Sequence, residues 1–147
     1  MAFKILPLHP KLTPKQQKEA FAETKKIKVI LATNFAETSI TINGVKVVID
    51  TGYDREMVYD HRNRMYTMIE KRISASSAKQ RAGRAGRTSE GYCFRLYSRD
   101  DKYTMETNKL PEISNIALDS LVLRLKYLGV DDVYKFPYLT HPGAESL

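Results

Sequence analysis

Lys28-Val29-Ile30-Leu31-Ala32-Thr33 and Val45-Lys46-Val47-Val48-Ile49-Asp50-Thr51 are apolar, β-branched runs of strand length. They are continuous rather than alternating, which predicts strands covered on both faces, as in a parallel sheet flanked by helices. Phe3 to Leu8 and Tyr92 to Tyr97 read as further strands of the same kind. Between the strands at Phe3–Leu8 and Lys28–Thr33, Thr13-Pro14-Lys15-Gln16 offers an N-cap, a proline at the first helical position and a capping-box partner, so a helix is predicted from Pro14 to Glu23. Between Asp54 and Ile73, Met57-Val58-Tyr59 and Met65 to Ile69 flank His61-Arg62-Asn63-Arg64, the pattern of a hairpin with a charged tip. Ser76 or Ser77 is expected to cap a helix running into Arg84, with Ser77 and Gln80 at capping-box spacing. After Pro111, Leu118, Leu121, Val122, Leu125 and Leu128 share one helical face, and Gly129 is placed as its stop. Strands alternating with helices give an α/β layered fold.

The chain has 147 residues, 42% of them hydrophobic and 28% charged. That is enough for a folded core and excludes a largely disordered chain. No apolar run approaches the ~20 residues of a membrane span, and Met1-Ala2-Phe3-Lys4 lacks a signal-peptide pattern. With one cysteine, Cys93, no internal disulfide forms, so an intracellular location in nucleus or cytoplasm is expected. Lys and Arg number 24 against 17 Asp and Glu, a net charge of +7. Six basic residues lie from Lys71 to Arg87 with no acidic one among them. Such a balance fits a polyanionic partner or plain solubility. Gly86 and Gly91 have phosphate-loop spacing, but Tyr92 and Cys93 follow, so there is no Walker A loop. His9, His61, His141 and Cys93 lack metal-ligand spacing, so no metal is assigned to this chain.

Two stretches carry the chemistry. In Gln80-Arg81-Ala82-Gly83-Arg84-Ala85-Gly86-Arg87, a helix would place Gln80, Arg84 and Arg87 on one face. Gly83 and Gly86 would each destabilise a helix interior by ~1 kcal/mol, but glycines beside arginines let a backbone approach a ligand closely. Guanidinium forks match phosphate oxygens, and an amide can orient a water, so the set suits a triphosphate. A solvated or RNA-riding basic helix is equally open on these residues alone. The second stretch, Thr33-Asn34-Phe35-Ala36-Glu37-Thr38-Ser39-Ile40-Thr41-Ile42, follows a strand whose carboxyl end is where ligands bind in α/β sheets. Its hydroxyl and amide groups suit phosphate and sugar oxygens, and suit an ordinary turn as well.

Taken together, ATNFAETSITINGV, VVIDTG, SASSAKQRAGRAGR and GYCFRLYS closely resemble, in order and spacing, the second RecA-like domain of DEAH-box RNA helicases. There they would be motif V, the strand after it, motif VI and the next strand. LPLHPKLTPKQQKEAF is similar to the stretch after motif IV, and PEISNIALDSLVLRLKYLGVDDVYKFPYLTHP to the connection into the winged-helix domain. The resemblance implies a RecA-like, mostly parallel sheet flanked by helices, with an inserted β-hairpin and a C-terminal helical extension. Residues 1–100 would be the second RecA-like domain, lacking its first strand, and 101–147 the linker and start of the winged-helix region.

The same resemblance implies roles. Gln80, Arg84 and Arg87 match residues that meet the γ-phosphate and attacking water. Phe21 matches an aromatic that stacks on adenine, though it reads equally as a core residue of the first helix. Thr41 and Asn43 match ribose contacts, Asn43 standing where the family usually has Asp, and Gly83 belongs to the nucleotide-binding motif. Thr33 and Asn34 match contacts to the RNA backbone, and Ser39 a serine that couples nucleotide state to RNA. The cofactors implied are ATP and Mg²⁺, the latter held by a first RecA-like domain that would lie upstream. The implied partners are single-stranded RNA, that first domain and an activator protein, with no membrane. The expected whole is an ATP-dependent RNA helicase, to which this chain supplies arginine fingers and part of the RNA track, and the chain alone is expected to be inactive. The rival is a non-enzymatic RNA- or partner-binding module with the same half-fold.

Overall fold

The computed structural model describes residues 2–37, 42–87, 89–143 and 146. They form two compact units: Met1–Asp54 with Arg72–Asn108, and Arg55–Lys71 with Lys109–Leu147.

In the first unit, strand β1 (Phe3–Leu8) leads through helix α1 (Pro14–Phe21) to β2 (Ile27–Ala32), and β1 and β2 pair in parallel from Phe3 opposite Ile27 to Leu8 opposite Ala32. The capping box that opens α1 forms as its sequence dictates: Thr13 N–H and hydroxyl each donate to Gln16 Oε1 at 2.9 Å, and Thr13 Oγ1 accepts from Gln16 N–H. The helix stops at Phe21 rather than Glu23, where the Lys28 ammonium donates to the carbonyls of Ala20 and Ala22 at 2.9 and 2.7 Å. A cation on the last carbonyls is favoured by the helix dipole. Strand β3 (Val47–Asp50) pairs in parallel with β6 (Tyr92–Arg95), Val47 opposite Tyr92 and Asp50 opposite Arg95. The core of this unit holds Leu6, Leu8, Ala20, Ile73 and Ala78.

The expectation that the strands are covered on both faces is corrected. Ile27, Leu31, Val47 and Ile49 are exposed, Ile49 by 67%. Helices α1 and α2 (Ala75–Ala82) have eight residues each, about 12 Å of cover at 1.5 Å per residue. An apolar run states what a strand is suited to face, and these helices screen only part of it. The cap of α2 is also corrected. Ser74 is the N-cap, its Oγ accepting from Ser77 N–H at 3.2 Å, so Ser76 and Ser77 lie inside the first turn.

The second unit is built on a hairpin whose strands β4 (Tyr53–Asp60) and β5 (Met65–Arg72) begin and end in the first. Asp60 Oδ1 accepts from the N–H of Arg62 and Asn63 at 2.9 and 3.2 Å, and Arg64 takes the left-handed φ of 52° that closes the tip. Within the unit, Tyr59 N–H donates to the Asn115 carbonyl at 3.0 Å, and Tyr66 hydroxyl accepts from Ala117 N–H at 3.1 Å. The Glu56 carboxylate sits between Lys71 at 2.6 Å and Lys109 at 3.0 Å. Desolvation acts to raise its pKa, but the two ammonium groups outweigh this and hold it below the usual carboxylate range. Helix α4 (Asp119–Tyr127) buries Leu118 and Leu125, whereas Leu128, expected on the same face, is 70% exposed. It lies past the helix end, where Gly129 at φ 85° turns the chain and Val130 N–H donates back to the Leu125 carbonyl.

Candidate functional site

The arginine stretch does not continue as a helix. Helix α2 ends at Ala82 with Gly83 as its C-cap, and residues 83–86 form a turn in which Gly86 takes φ 82°. The expected single helical face for Gln80, Arg84 and Arg87 is therefore corrected: Gln80 is on the helix, Arg84 is on the turn after it, and Arg87 is at the bend that follows the turn. The two glycines belong to that turn, which removes the helix-interior penalty. Gly91, at the start of β6, packs on the turn so closely that a Cβ there would lie 2.5 Å from Gly86 N and 2.9 Å from Ala85 Cβ.

Arg84 donates from Nη2 to the Glu37 carbonyl. Burial lowers its pKa, and the charge of Arg87 lowers it further. The charge of Glu37 acts in the opposite direction. Arg87 Nε donates to the Gly83 carbonyl at 3.4 Å, and Arg87 and Gln80 are both exposed.

Arg81, absent from the sequence-derived set, is the structural centre of the site. Its Nε meets Glu37 Oε1 at 2.6 Å and its Nη1 meets Asp50 Oδ1 at 2.9 Å and the Tyr53 carbonyl at 3.1 Å. Asp50 is fully buried and also accepts from Gly52 N–H at 3.0 Å and from the Tyr97 hydroxyl at 3.1 Å. Desolvation acts to lower the Arg81 pKa, but the bonds to Glu37 and Asp50 prevail and raise it. Burial first, then Asp50, pushes the Tyr97 phenol up. One side chain on α2 therefore locks the turn after β2 to the end of β3. A signal was present in Asp50, a carboxylate closing an apolar run, which needs a buried partner.

Thr33 and Asn34 open the 3-10 turn Asn34–Glu37 that follows β2. Thr33 is exposed and its Oγ1 accepts from Phe35 N–H at 3.4 Å; Asn34 Nδ2 donates to Asp54 Oδ2 at 3.2 Å. The turn brings these residues onto the same short segment that Arg81 and Arg84 grip at Glu37. Phe21 is at the end of α1 and 36% exposed, and Asn43 is exposed in the turn before Gly44. Ser39 and Thr41 lie outside the described residues. Among the described residues, no three His, Cys, Asp or Glu side chains converge as metal ligands, and no helix is long and apolar enough to cross a membrane.

The helicase conserved C-terminal domain family matches residues 1–89. The chain is 45% identical over 145 residues to the human probable ATP-dependent RNA helicase DHX34, covering 97% of this chain and 13% of that protein. It is 46% identical over 143 residues to the Arabidopsis thaliana ATP-dependent RNA helicase DEAH12, covering 97% of this chain and 8% of that protein. The crystal structure of the Escherichia coli DEAH/RHA helicase HrpB superposes with a TM-score of 0.90 at 33% identity, over 98% of this chain and 19% of that one. The chain thus spans a small part of the relatives it matches, and the part it spans is RecA-like. These relatives are DEAH-box helicases, and with the family model matching more than half of its residues, the chain belongs to the helicase conserved C-terminal domain family.

Proposed function

We propose that the chain is the C-terminal RecA-like half of an ATP-dependent RNA helicase, in which Gln80, Arg84 and Arg87 act on the γ-phosphate and Thr33 and Asn34 carry single-stranded RNA. The observation that carries this reading is the end of α2, where exposed Gln80 is followed within one turn by Arg84 on the glycine turn and by Arg87 just past it, with Arg87 Nε donating to the Gly83 carbonyl at 3.4 Å. That donor set fits a phosphoryl group: two planar forks for its oxygens and one amide for a water. ATP supplies the phosphoanhydride that is cleaved. Arg84 and Arg87 donate to the phosphate oxygens and neutralise charge as it develops, and Gln80 orients the attacking water. Phe21 stacks on the base, Thr41 and Asn43 meet the ribose, and Gly83 leaves room for the nucleotide. Mg²⁺ and the phosphate-cradling loop belong to a first RecA-like domain. Ser39 couples nucleotide state to the RNA side, and an activator protein completes the set of partners. Residues 1–100 form the RecA-like part and 101–147 the linker and start of a winged-helix region.

The test uses the full-length helicase. Arg87→Ala should lower turnover by ~10³–10⁵, the worth of an arginine finger, and leave nucleotide-free RNA affinity nearly unchanged. Thr33→Ala should weaken RNA binding and largely keep basal hydrolysis. The opposite pattern, with Arg87→Ala weakening RNA binding and sparing hydrolysis, would overturn the finger assignment.

A further inference from the structure

The carboxyl end of β6 opens on a cleft of about 330 Å³ lined by Arg95, Tyr97, Ser98, Arg99, Lys102 and Tyr103. The sequence builds it locally. Strand β6 ends at Arg95, and a capping box at Ser98 turns the chain into α3 (Arg99–Tyr103), which carries Arg99, Lys102 and Tyr103 to the same opening. Of the two carboxylates within that stretch, Asp100 and Asp101, Asp101 is engaged elsewhere: it meets Arg72 Nη2 at 2.8 Å and accepts from Ser98 N–H at 2.9 Å. Asp50, beneath the cleft, is taken up by Arg81. Arg95, Arg99 and Lys102 make no ion pair among the described residues. The cleft therefore brings together three cations, none of them in an ion pair among the described residues, with Asp100 the one nearby carboxylate on α3 that is not already paired in the same way as Asp101. Its two aromatic walls differ. Tyr97 is fixed by its hydroxyl on Asp50 and by Gly52, where a Cβ would come within 2.6 Å of its ring. Tyr103 is 84% exposed and offers a ring face to a flat group.

The cleft also lies on the ligand-binding edge of the fold. Parallel pairing puts the carboxyl end of β6 beside that of β3, and Arg81 ties the end of β3 to the turn after β2 that holds Thr33 and Asn34. Ligands of α/β sheets bind outside the carboxyl ends of strands. We propose that this cleft binds a phosphodiester of single-stranded RNA through Arg95, Arg99 and Lys102, with one base stacked on Tyr103, and so extends the track that begins at Thr33 and Asn34. The proposal rests on the RNA reading of that track. Cations on the backbone and an aromatic on a base are the combination that single strands bind without sequence preference.

The test is fluorescence anisotropy of a labelled oligouridylate with the 147-residue chain over a salt series. Arg99→Ala with Lys102→Ala should weaken binding about tenfold at low salt. It should also reduce the salt slope by about 1.4, at about 0.7 for each cation lost from a single strand. Lys11→Ala with Lys15→Ala removes the same charge from exposed positions at the start of α1 and should leave the slope unchanged. A 4-thiouridine oligomer should crosslink to Tyr103. If the Arg99/Lys102 variant keeps the full slope while Thr33→Ala with Asn34→Ala loses affinity, the cleft proposal fails and the track stands. If the cleft variant loses affinity and the Thr33/Asn34 variant does not, the track fails and the cleft stands. No binding by the unaltered chain ends both. Competition by uridine 5′-monophosphate as effective as the oligomer, nucleotide for nucleotide, would assign the cleft to a free nucleotide and overturn the proposal.

Discussion

Arg81→Ala is expected to be the most damaging single substitution at the candidate site. The Arg81 side chain is 16% exposed and pairs with Glu37, 12% exposed, and Asp50, fully buried. Removing one member of a buried ion pair destabilises by ~3–5 kcal/mol, because the remaining charge is left without compensation. Here two carboxylates lose one partner, but Asp50 keeps Gly52 N–H and the Tyr97 hydroxyl, and Glu37 sits nearer solvent. The net loss should therefore fall at the low end, about 3 kcal/mol. For a chain of this size that lowers Tm by roughly 6–12 °C. The assay is thermal and urea unfolding by circular dichroism, with amide hydrogen exchange at Phe35, Ala36 and Glu37, which should quicken as the turn after β2 comes loose. Arg81→Lys should recover only part of the loss, since one ammonium cannot place two donors in a fork. Arg81→Met with Asp50→Asn should be milder than Arg81→Ala alone, because the fully buried carboxylate is then no longer charged and only Glu37, nearer solvent, loses its partner. An Arg81→Ala protein within 0.5 kcal/mol of the unaltered chain, with exchange unchanged at those amides, would refute the claim that Arg81 locks the two strand ends together.

Gly91→Ala should destabilise by more than 2 kcal/mol, since its Cβ would meet backbone at 2.5 Å, whereas Gly44→Ala, strained at φ 74° but facing open space, should lose only about 1 kcal/mol; paired urea melts decide. Thr13→Ala removes the side-chain half of the capping box on α1, while the backbone N–H of residue 13 can still donate to Gln16 Oε1, and should lower stability by about 1 kcal/mol in the same melts. The depressed Glu56 pKa implies stability that is present above the ordinary glutamate range and lost as pH falls through the lowered value. Glu56→Gln should accordingly destabilise by ~1–2 kcal/mol at pH 7 and by progressively less below pH ~4, a convergence visible in Tm against pH.

Much of the fold was legible because local signals agreed. Thr13, Pro14 and Gln16 marked α1, and β-branched runs marked the four parallel strands within a residue or two. The errors have physical causes. Helical spacing cannot tell a helix from a helix followed by a turn, and Gly83 and Gly86 were stop signals that the periodicity of the arginines outweighed. Ser74, Ser76 and Ser77 are chemically equal as caps. The choice among them is made by contacts far in sequence, where Ala75 and Ser76 N–H donate to the carbonyls of Glu106 and Thr107 and so satisfy the first turn. The roles of Gln80, Arg84 and Arg87 came from family likeness, but Arg81 could be found only by seeing Glu37 and Asp50 converge on it.

The contact between Gly91 and the arginine turn is made by main chain and the single Cβ of Ala85, with no rotatable side chain between. A turn closed in this way has few rotamers to lose when something binds it. Its backbone is ordered during folding, so a phosphate bound as proposed would meet Arg84 and Arg87 on a base that is already rigid. Only the side-chain ends remain to be immobilised, roughly 0.5–1.5 kcal/mol each. Loosening Gly91 would therefore weaken anion binding even if both arginines stayed in place. The loss would be entropic and would appear in calorimetry as an unchanged enthalpy with a less favourable entropy of binding.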